Sequence, residues 1–230
     1  MIGPLILNGE AMNIGIIGAG FIGRLIAIHG IRNGHEVMIS NSRGPSSLSS
    51  TVASIKCKSG YAEDAAKFGD VVFLAVPFSN YILLPAQALS GKIVVDANNY
   101  YPGRDGHIPA LDSGKATTSE LTAGHLKGAK IVKAFNAIMA NDLEKDGLPA
   151  GSVGRRALPM AGDDKAAKAV VAKLMDEFGF DVVDAGPLAE GWRFERARPA
   201  YCVPFKQDDL ASVLAGTTRE SRMAENSWRK

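Results

Sequence analysis

The stretch from Met12 to Arg43 constrains this chain more than any other. It carries a G-x-G-x-x-G at Gly18, Gly20 and Gly23. A short apolar run, Ile14–Ile17, broken by Gly15, precedes the motif and suits a buried parallel strand. Ile22, Leu25, Ile26 and His29 follow it at helical spacing. Asn33-Gly34 supplies a helix stop, and Glu36–Ser40 reads as a second strand. Strand, glycine turn, helix and strand in this order are the setting in which the motif binds a dinucleotide. Gly18 then allows the tight turn, Gly20 lets the backbone approach a pyrophosphate, and Gly23 lets helix and strand pack closely. The phosphates would sit on the helix N-terminus, at Phe21 and Ile22, where free N–H groups and the helix dipole favour anions.

The end of the second strand selects the cofactor. NAD enzymes usually place an Asp or Glu there to hold the ribose hydroxyls. Here the tip is Asn41-Ser42-Arg43, with no carboxylate to repel a 2′-phosphate. Ser42 can hydrogen-bond such a phosphate, and Arg43 can pair with it through a charge-assisted fork. The tip therefore reads as NADP(H) over NAD(H). The competing reading of Arg43 is a solvated loop charge.

At 230 residues the chain can bury a sizeable core as one domain, or one domain with a small appendage. A net charge of +2 gives no reason to expect a nucleic-acid or membrane partner. Cys57 and Cys202 lie far apart, so neither a disulfide framework nor zinc spacing is present, and no metal site is expected. A cytoplasmic location is the default expectation. Residues Met1–Ala11 lack a basic start, and their apolar run, Pro4–Leu7, is too short for a signal peptide. They read as a flexible, dispensable extension. No stretch approaches transmembrane length.

From Gly44 onward, strand and helix alternate. A serine-rich loop enters a helix near Leu48–Ser54, and Ile55–Lys58 reads as a short third strand. A helix covers Tyr61–Phe68 and stops at Gly69. Val71–Val76 is a continuous apolar run, as in a parallel strand buried on both faces. Asn80–Leu89 reads as a helix interrupted at Pro85, and Ile93–Ala97 as the next strand. Thr117-x-x-Glu120 is a capping box opening a helix over Ser119–Leu126, and a strand follows at Lys130–Val132. Asp142–Arg156 reads as loop. Strand Ala157–Ala161, helix Asp163–Phe178 and strand Phe180–Asp184 should extend the same sheet. Asp208–Leu214 reads as a last helix, and Arg219–Lys230 as a frayed end. The pattern predicts a Rossmann-type, doubly wound, mainly parallel α/β sheet with a small C-terminal extension. The expected divisions are the N-terminal extension 1–11, a nucleotide-binding domain 12–140, a βαβ extension 141–205 with an aromatic segment, and a C-terminal helix and tail 206–230.

In such sheets, ligands bind outside the carboxyl ends of the strands. Three segments become site candidates on that rule: Ala75-Val76-Pro77-Phe78-Ser79-Asn80, the stretch Asp96–Gly106 with its Asn98-Asn99-Tyr100-Tyr101 turn, and Lys133-Ala134-Phe135-Asn136-Ala137-Ile138. Each has a plain structural alternative as core or turn. Trp192, Phe194, Tyr201 and Phe205 form an aromatic group that suits packing or a subunit interface better than a cofactor box.

These residues also carry a family resemblance. GIIGAGFIG, ISNSRGP, DANNYYPGRDG, VKAFN, ALPMAGDD and DAGPLAEGWRFE together resemble the NADP-dependent oxidoreductases related to F420-dependent NADP reductases, over about Met12 to Tyr201. Those enzymes pass hydride between NADP(H) and the deazaflavin coenzyme F420. That family also resembles the cytosolic domain of membrane metalloreductases, which send electrons to a flavin. The resemblance implies a Rossmann domain with a small appendage, a homodimer, and Ser42 and Arg43 on the 2′-phosphate. It implies a nicotinamide between Ala75–Phe78 and Lys133–Asn136, with coenzyme F420 or a flavin as co-substrate.

Hydride transfer between such rings needs stacking at near contact and exclusion of water, not a nucleophile. The chain accordingly has no Ser-His-Asp spacing and no H-E-x-x-H. His29 and His35 read as packing and turn residues. His107 is the one histidine to consider as a proton donor. Arg104 could clamp an anionic acceptor or pair with Asp105. Three readings stand: a reductase of a deazaflavin or flavin, a reductase of a small carbonyl or imine using His107, Tyr100 or Tyr101, and a non-catalytic NADP(H) sensor.

Overall fold

The computed structural model describes residues 11–228. The expected N-terminal extension, apart from Ala11, lies outside the described residues. The chain begins with β1 (Asn13–Ile17), α1 (Phe21–Arg32) and β2 (Glu36–Ser40), as the opening motif requires. Then come α2 (Ser49–Ile55), β3 (Lys58–Gly60), α3 (Ala62–Phe68), β4 (Val71–Leu74) and α4 (Ala86–Leu89). Strand β5 (Ile93–Asp96) leads through two single-turn helices, α5 (Pro102–Asp105) and α6 (Pro109–Asp112), to α7 (Thr118–His125) and β6 (Lys130–Lys133). The remainder is α8 (Ala140–Lys145), β7 (Ala157–Gly162), α9 (Lys165–Glu177), β8 (Asp181–Asp184) and α10 (Gln207–Gly216).

The strands form one sheet in the order β3-β2-β1-β4-β5-β6-β7-β8. Every neighbouring pair is parallel except β6 with β7. The order over the first six strands is that of the dinucleotide-binding doubly wound fold, with its switch point between β1 and β4. The sheet is buried on both faces. Side chains alternate along β4, so Phe73 joins Ile26, Leu143 and Leu174 on the face covered by α1, α8 and α9. Val72 and Leu74 join Ala65, Leu89 and Leu126 on the face covered by α3, α4 and α7. This double burial explains the unbroken apolar run in β4. Emptying the space of one such fully buried side chain, as in Phe73→Ala, costs about 3–5 kcal/mol. Gly15 interrupts β1 for a packing reason: a Cβ there would stand 2.1 Å from the Ala65 carbonyl oxygen of α3.

The capping box at Thr117 and Glu120 is present, each side chain bonded to the other's backbone N–H. Four expectations need correction. The third strand is not Ile55–Lys58, because α2 runs to Ile55 and turns out through Lys56 at φ 63° before β3 begins at Lys58. The helix expected over Asn80–Leu89 is instead a 3₁₀ helix, Phe78–Leu83, followed after Pro85 by α4. Residues Ala140–Lys145, largely within the expected loop Asp142–Arg156, form α8, held by buried Leu143 and by Arg156 bonded to Asp142 and Asp146 at 2.9 and 2.7 Å. The end of the chain is not frayed as far as it is described: Trp228 is buried with its ring 5.2 Å from that of Tyr201.

Candidate functional site

Two cavities flank the first turn of α1. The larger, about 810 Å³, lies over the carboxyl ends of β1, β2 and β4. Gly18, Gly20, Asn41, Ser42, Arg43, Ala75, Val76 and Pro77 line it, with Ala62, Leu83 and Leu84 as its apolar wall. The smaller, about 370 Å³, begins at the next residues of the helix, Phe21 and Ile22. It is walled by Tyr101, Phe135, Asn136, Tyr201, Cys202 and Trp228, among others.

The three motif glycines do different work. Gly18 sits at φ +118°, and a Cβ there would lie 2.2 Å from the Ala75 carbonyl oxygen. Its N–H donates to the Ser40 carbonyl at 3.0 Å, tying the turn to β2. Gly23 packs helix on strand, since a Cβ there would meet the Gly18 carbonyl oxygen at 1.9 Å. Around Gly20 the direction of a Cβ is open, with no atom within 4 Å. Gly20 is also the N-cap of α1, with no side chain bonded to the helix end and no acidic residue in its first turn. An uncapped N-terminus facing open space is suited to an anion.

At the β2 tip, Asn41 organises the loop. Its Oδ1 accepts from the Arg43 N–H at 3.0 Å, and its Nδ2 donates to Ser47 Oγ at 2.9 Å. This leaves Ser42 and Arg43 exposed at the cavity edge. Among the described residues, no carboxylate pairs with the Arg43 guanidinium.

The turns after β4, β5 and β6 are locked together beneath the smaller cavity. Asn98 Oδ1 accepts from the Val76 N–H at 2.9 Å. The fully buried Lys133 Nζ donates to the Asn98 carbonyl at 2.5 Å and to Thr118 Oγ1 at 2.9 Å, and it lies 3.5 Å from Asp96 Oδ2. Asp96 in turn accepts from Ser119 Oγ at 2.6 Å. Asn136 donates to Asn99 Oδ1 and to the Phe194 carbonyl. Phe135 and Cys202, both in the cavity wall, have left-handed backbones at φ 59° and 58°. Non-glycine residues in that region cost about 1–3 kcal/mol each and cluster where a site fixes the chain.

The structure separates the remaining candidates. Phe78 and Ala134 are fully buried in the core and line neither cavity, because Phe78 stacks on Tyr81 at 4.8 Å and Ala134 packs among Val132, Phe135 and their neighbours. Asn98 is likewise buried, acting through the turn it holds. Tyr100 is bound up in its own loop: its hydroxyl donates to Asp112 Oδ1 at 2.7 Å, lies 2.9 Å from the Gly106 carbonyl oxygen, and accepts from the Ile108 N–H. His107 lines neither cavity; its side chain is 85% exposed and faces Asp112. Arg104 forms the ion pair with Asp105, a two-pronged one. Burial pushes the Asp105 carboxyl up, but hydrogen bonds from Arg104 and from the N–H groups of Tyr101 and Ser79 outweigh it, and the pKa lies below the usual range.

The comparisons fit this geometry. The family model for NADP oxidoreductases that are coenzyme F420-dependent matches residues 13–100, from β1 through β5. The hypothetical protein SMa0349 of Sinorhizobium meliloti is 34% identical, with a TM-score of 0.73 over 85% of this chain and 95% of its own. A candidate F420-dependent NADP reductase from Arthrobacter sp. FB24 is 30% identical, with a TM-score of 0.67 over 77% of this chain and 86% of its own. The chain belongs to the family of F420-dependent NADP oxidoreductases. Metalloreductase STEAP3 of Rattus norvegicus is also 30% identical over 201 residues, 85% of this chain. The chain spans less than half the length of the curated relatives it matches, at 39% and 43%. No helix among its described residues is long and apolar enough to cross a membrane.

Two parts of the candidate site are not legible in the sequence. Lys133 opens a candidate segment, but nothing in the sequence shows that it is fully buried and ties the end of β6 to the turn after β5 and to the start of α7. Tyr201 and Trp228 were read as packing and as frayed tail, although both wall the smaller cavity. The aromatic composition of 192–205 was the available signal, but aromatic groups in a core give the same one.

Proposed function

We propose that this oxidoreductase transfers hydride between NADPH and a flat, flavin-like acceptor, a deazaflavin such as coenzyme F420 or a flavin. The observation that carries the reading is the aromatic cavity on the far side of the α1 N-terminus from the nucleotide cleft. In this reading, Ser42 and Arg43 bind the 2′-phosphate, Ala62, Leu83 and Leu84 cover the adenine, and the N–H groups of the first turn of α1 hold the pyrophosphate. Gly20 keeps that approach clear. Phe21, Ile22, Phe135 and Asn136 then line the place where the two rings meet.

The smaller cavity suits a nicotinamide. Asn136 lines it, and its Oδ1 is buried with no hydrogen-bond partner among the described residues. That oxygen is an acceptor suited to the N–H of a primary carboxamide, and a buried polar atom left unpaired costs about 1–3 kcal/mol. Bound NADPH supplies the hydride. The protein's own task is to hold the rings at contact distance and keep water out, and Phe21, Tyr101, Tyr201 and Trp228 provide the apolar surface for that.

A second reading, reduction of a small carbonyl or imine, draws on one feature. Tyr101 and Tyr201 meet hydroxyl to hydroxyl at 2.6 Å in the cavity wall. Burial, then the neighbouring Cys202 and Tyr101, push the Tyr201 hydroxyl far above its ordinary pKa. A proton donor works best with a pKa near the working pH, so this pair is better suited to fixing the wall than to giving up a proton.

The test is NADPH oxidation by the pure protein, followed at the nicotinamide absorbance, with F420, FMN, FAD and no acceptor in parallel. Turnover with F420 or a flavin is the expected result. Clear NADPH binding with no turnover by any of these would overturn the reading and favour the small-substrate or sensor alternatives.

A further inference from the structure

A third cavity, about 150 Å³, lies beyond Pro102 and is lined by four arginines: Arg196, Arg198, Arg219 and Arg222. Trp192 is its platform, with the guanidinium carbons of Arg219 and Arg198 at 4.2 and 5.1 Å from the ring centroid. Such contacts orient cations over the ring without neutralising them.

The carboxylates around this cavity are already engaged. Glu195 Oε1 accepts from both the N–H and the hydroxyl of Thr118, each at 2.8 Å. Asp112 accepts from Tyr100, and Glu225 pairs with Arg196. Arg198 spends one nitrogen on the carbonyls of Thr218, Arg219 and Ser221. Arg219 reaches only the Gly114 carbonyl, at 3.4 Å, and Arg222 has no hydrogen bond or ion pair among the described residues. Burial, followed by the charges of Arg222 and Arg219, lowers the Arg198 pKa despite Glu195 and Glu220 nearby. Four arginines thus share the cavity with two carboxylates, Asp112 and Glu195, and Arg219 and Arg222 have no ion-pair partner among the described residues, so an anion would relieve the remaining repulsion.

The cavity is also joined to the acceptor side of the molecule. Pro102 and Arg196 are shared with a trough of about 460 Å³ that continues past Arg104 to Tyr101. Tyr101 is in turn a wall of the aromatic cavity. Arg104 and Arg196 both stand over the Tyr101 ring, at 4.8 and 5.0 Å, so two arginines, each ion-paired on its other side, flank the route between the two cavities.

We propose that Arg198, Arg219 and Arg222 form an anion site that holds the phosphate or carboxylate tail of the acceptor, whose ring sits in the aromatic cavity. This rests on the acceptor position proposed above. It narrows the substrate class to ring systems with a negatively charged tail long enough to pass Arg196.

The test has two arms on the full chain. In the first, inorganic pyrophosphate is titrated calorimetrically into wild type, Arg222→Gln and Arg219→Gln/Arg222→Gln, each saturated with NADP⁺ to block the phosphate site at α1. Binding that weakens about tenfold or more in the double variant is expected, as for loss of charge-assisted hydrogen bonds. In the second, KM is compared for FMN against riboflavin, and for F420 against its ring without the tail. The wild type should prefer the tailed member of each pair, and the double variant should lose that preference while KM for NADPH and the thermal midpoint stay unchanged. Equal KM within each pair together with no pyrophosphate binding would overturn the anion site and leave the hydride reading standing. Arg222-dependent pyrophosphate binding without turnover of any flavin would support the site and overturn the acceptor reading. A tail preference that survives in the double variant would overturn the assignment to these arginines.

Discussion

Lys133 Nζ stands 3.5 Å from Asp96 Oδ2 with both side chains fully out of solvent, one at the end of β6 and the other at the end of β5. A buried pair of this kind is a weak source of net stability, but removing one partner strands the other charge. Lys133→Met should lower unfolding free energy by about 3–5 kcal/mol in denaturant titrations. Lys133→Met/Asp96→Asn should cost less than the sum of the two single changes. A Lys133→Met protein as stable as wild type would show that the pair is not coupled.

The motif glycines separate folding from binding. Gly20→Val should leave the thermal midpoint close to wild type, because no atom lies within 4 Å of the new Cβ direction, yet abolish NADPH binding. Gly23→Val should fail to fold normally, since its Cβ would overlap the Gly18 carbonyl oxygen at 1.9 Å. If Gly20→Val binds NADPH as wild type does, the pyrophosphate does not cross the α1 N-terminus.

Cofactor choice should depend on Arg43. Arg43→Ala should weaken NADPH binding by roughly 1.5–3 kcal/mol, the range for a hydrogen bond to a charged group, and leave NADH binding nearly unchanged. Fluorescence titration of both nucleotides reads this directly. An equal loss for both would remove Arg43 from the 2′-phosphate.

Tyr101→Phe distinguishes the two chemical readings. With a flavin-like acceptor, kcat should stay within about threefold of wild type, because the lost hydroxyl only ties Tyr101 to Tyr201. A fall of about 10²-fold or more at unchanged NADPH affinity would be the mark of a lost proton donor.

His29 gives the fold a pH dependence. Its Nε2 bonds to the Leu143 carbonyl at 2.8 Å, and its ring stacks on Phe178. Burial, offset by the Leu143 bond and reinforced by Arg32, lowers its pKa from 6.5. The unfolded chain therefore takes up the proton first as pH falls, so the His29 contribution is present above pH 6.5 and is lost on acidification through the folded-state pKa. The thermal midpoint should drop between neutral pH and about pH 5. His29→Gln should flatten that slope even if it lowers the midpoint overall. An unchanged slope would place the dependence elsewhere.

The fold was legible where the pattern is local. The nucleotide motif, the apolar β4 and the capping box at Thr117 each declare themselves within a dozen residues. Strand β3 did not, because Lys58–Gly60 has no apolar alternation and is a strand only by pairing with Met38–Ser40. Helix α8 did not, because a short polar segment is held by Leu143 against α1 and by Arg156 from farther along the chain. The site divides the same way. Gly18, Gly20 and the β2 tip were readable from spacing, whereas the aromatic cavity draws on residues from 21 to 228 and exists only once the chain has folded back on itself. Phe78 and Ala134 misled because a turn at a strand end places neighbouring side chains alternately toward ligand and toward core.

That last wall of the aromatic cavity has a consequence in time. The nucleotide cleft is built entirely from residues up to Leu84, but the second cavity waits for Tyr201 and Trp228. A chain emerging from the ribosome therefore carries every residue that lines the nucleotide cleft more than a hundred residues before the two aromatic rings that close the second cavity.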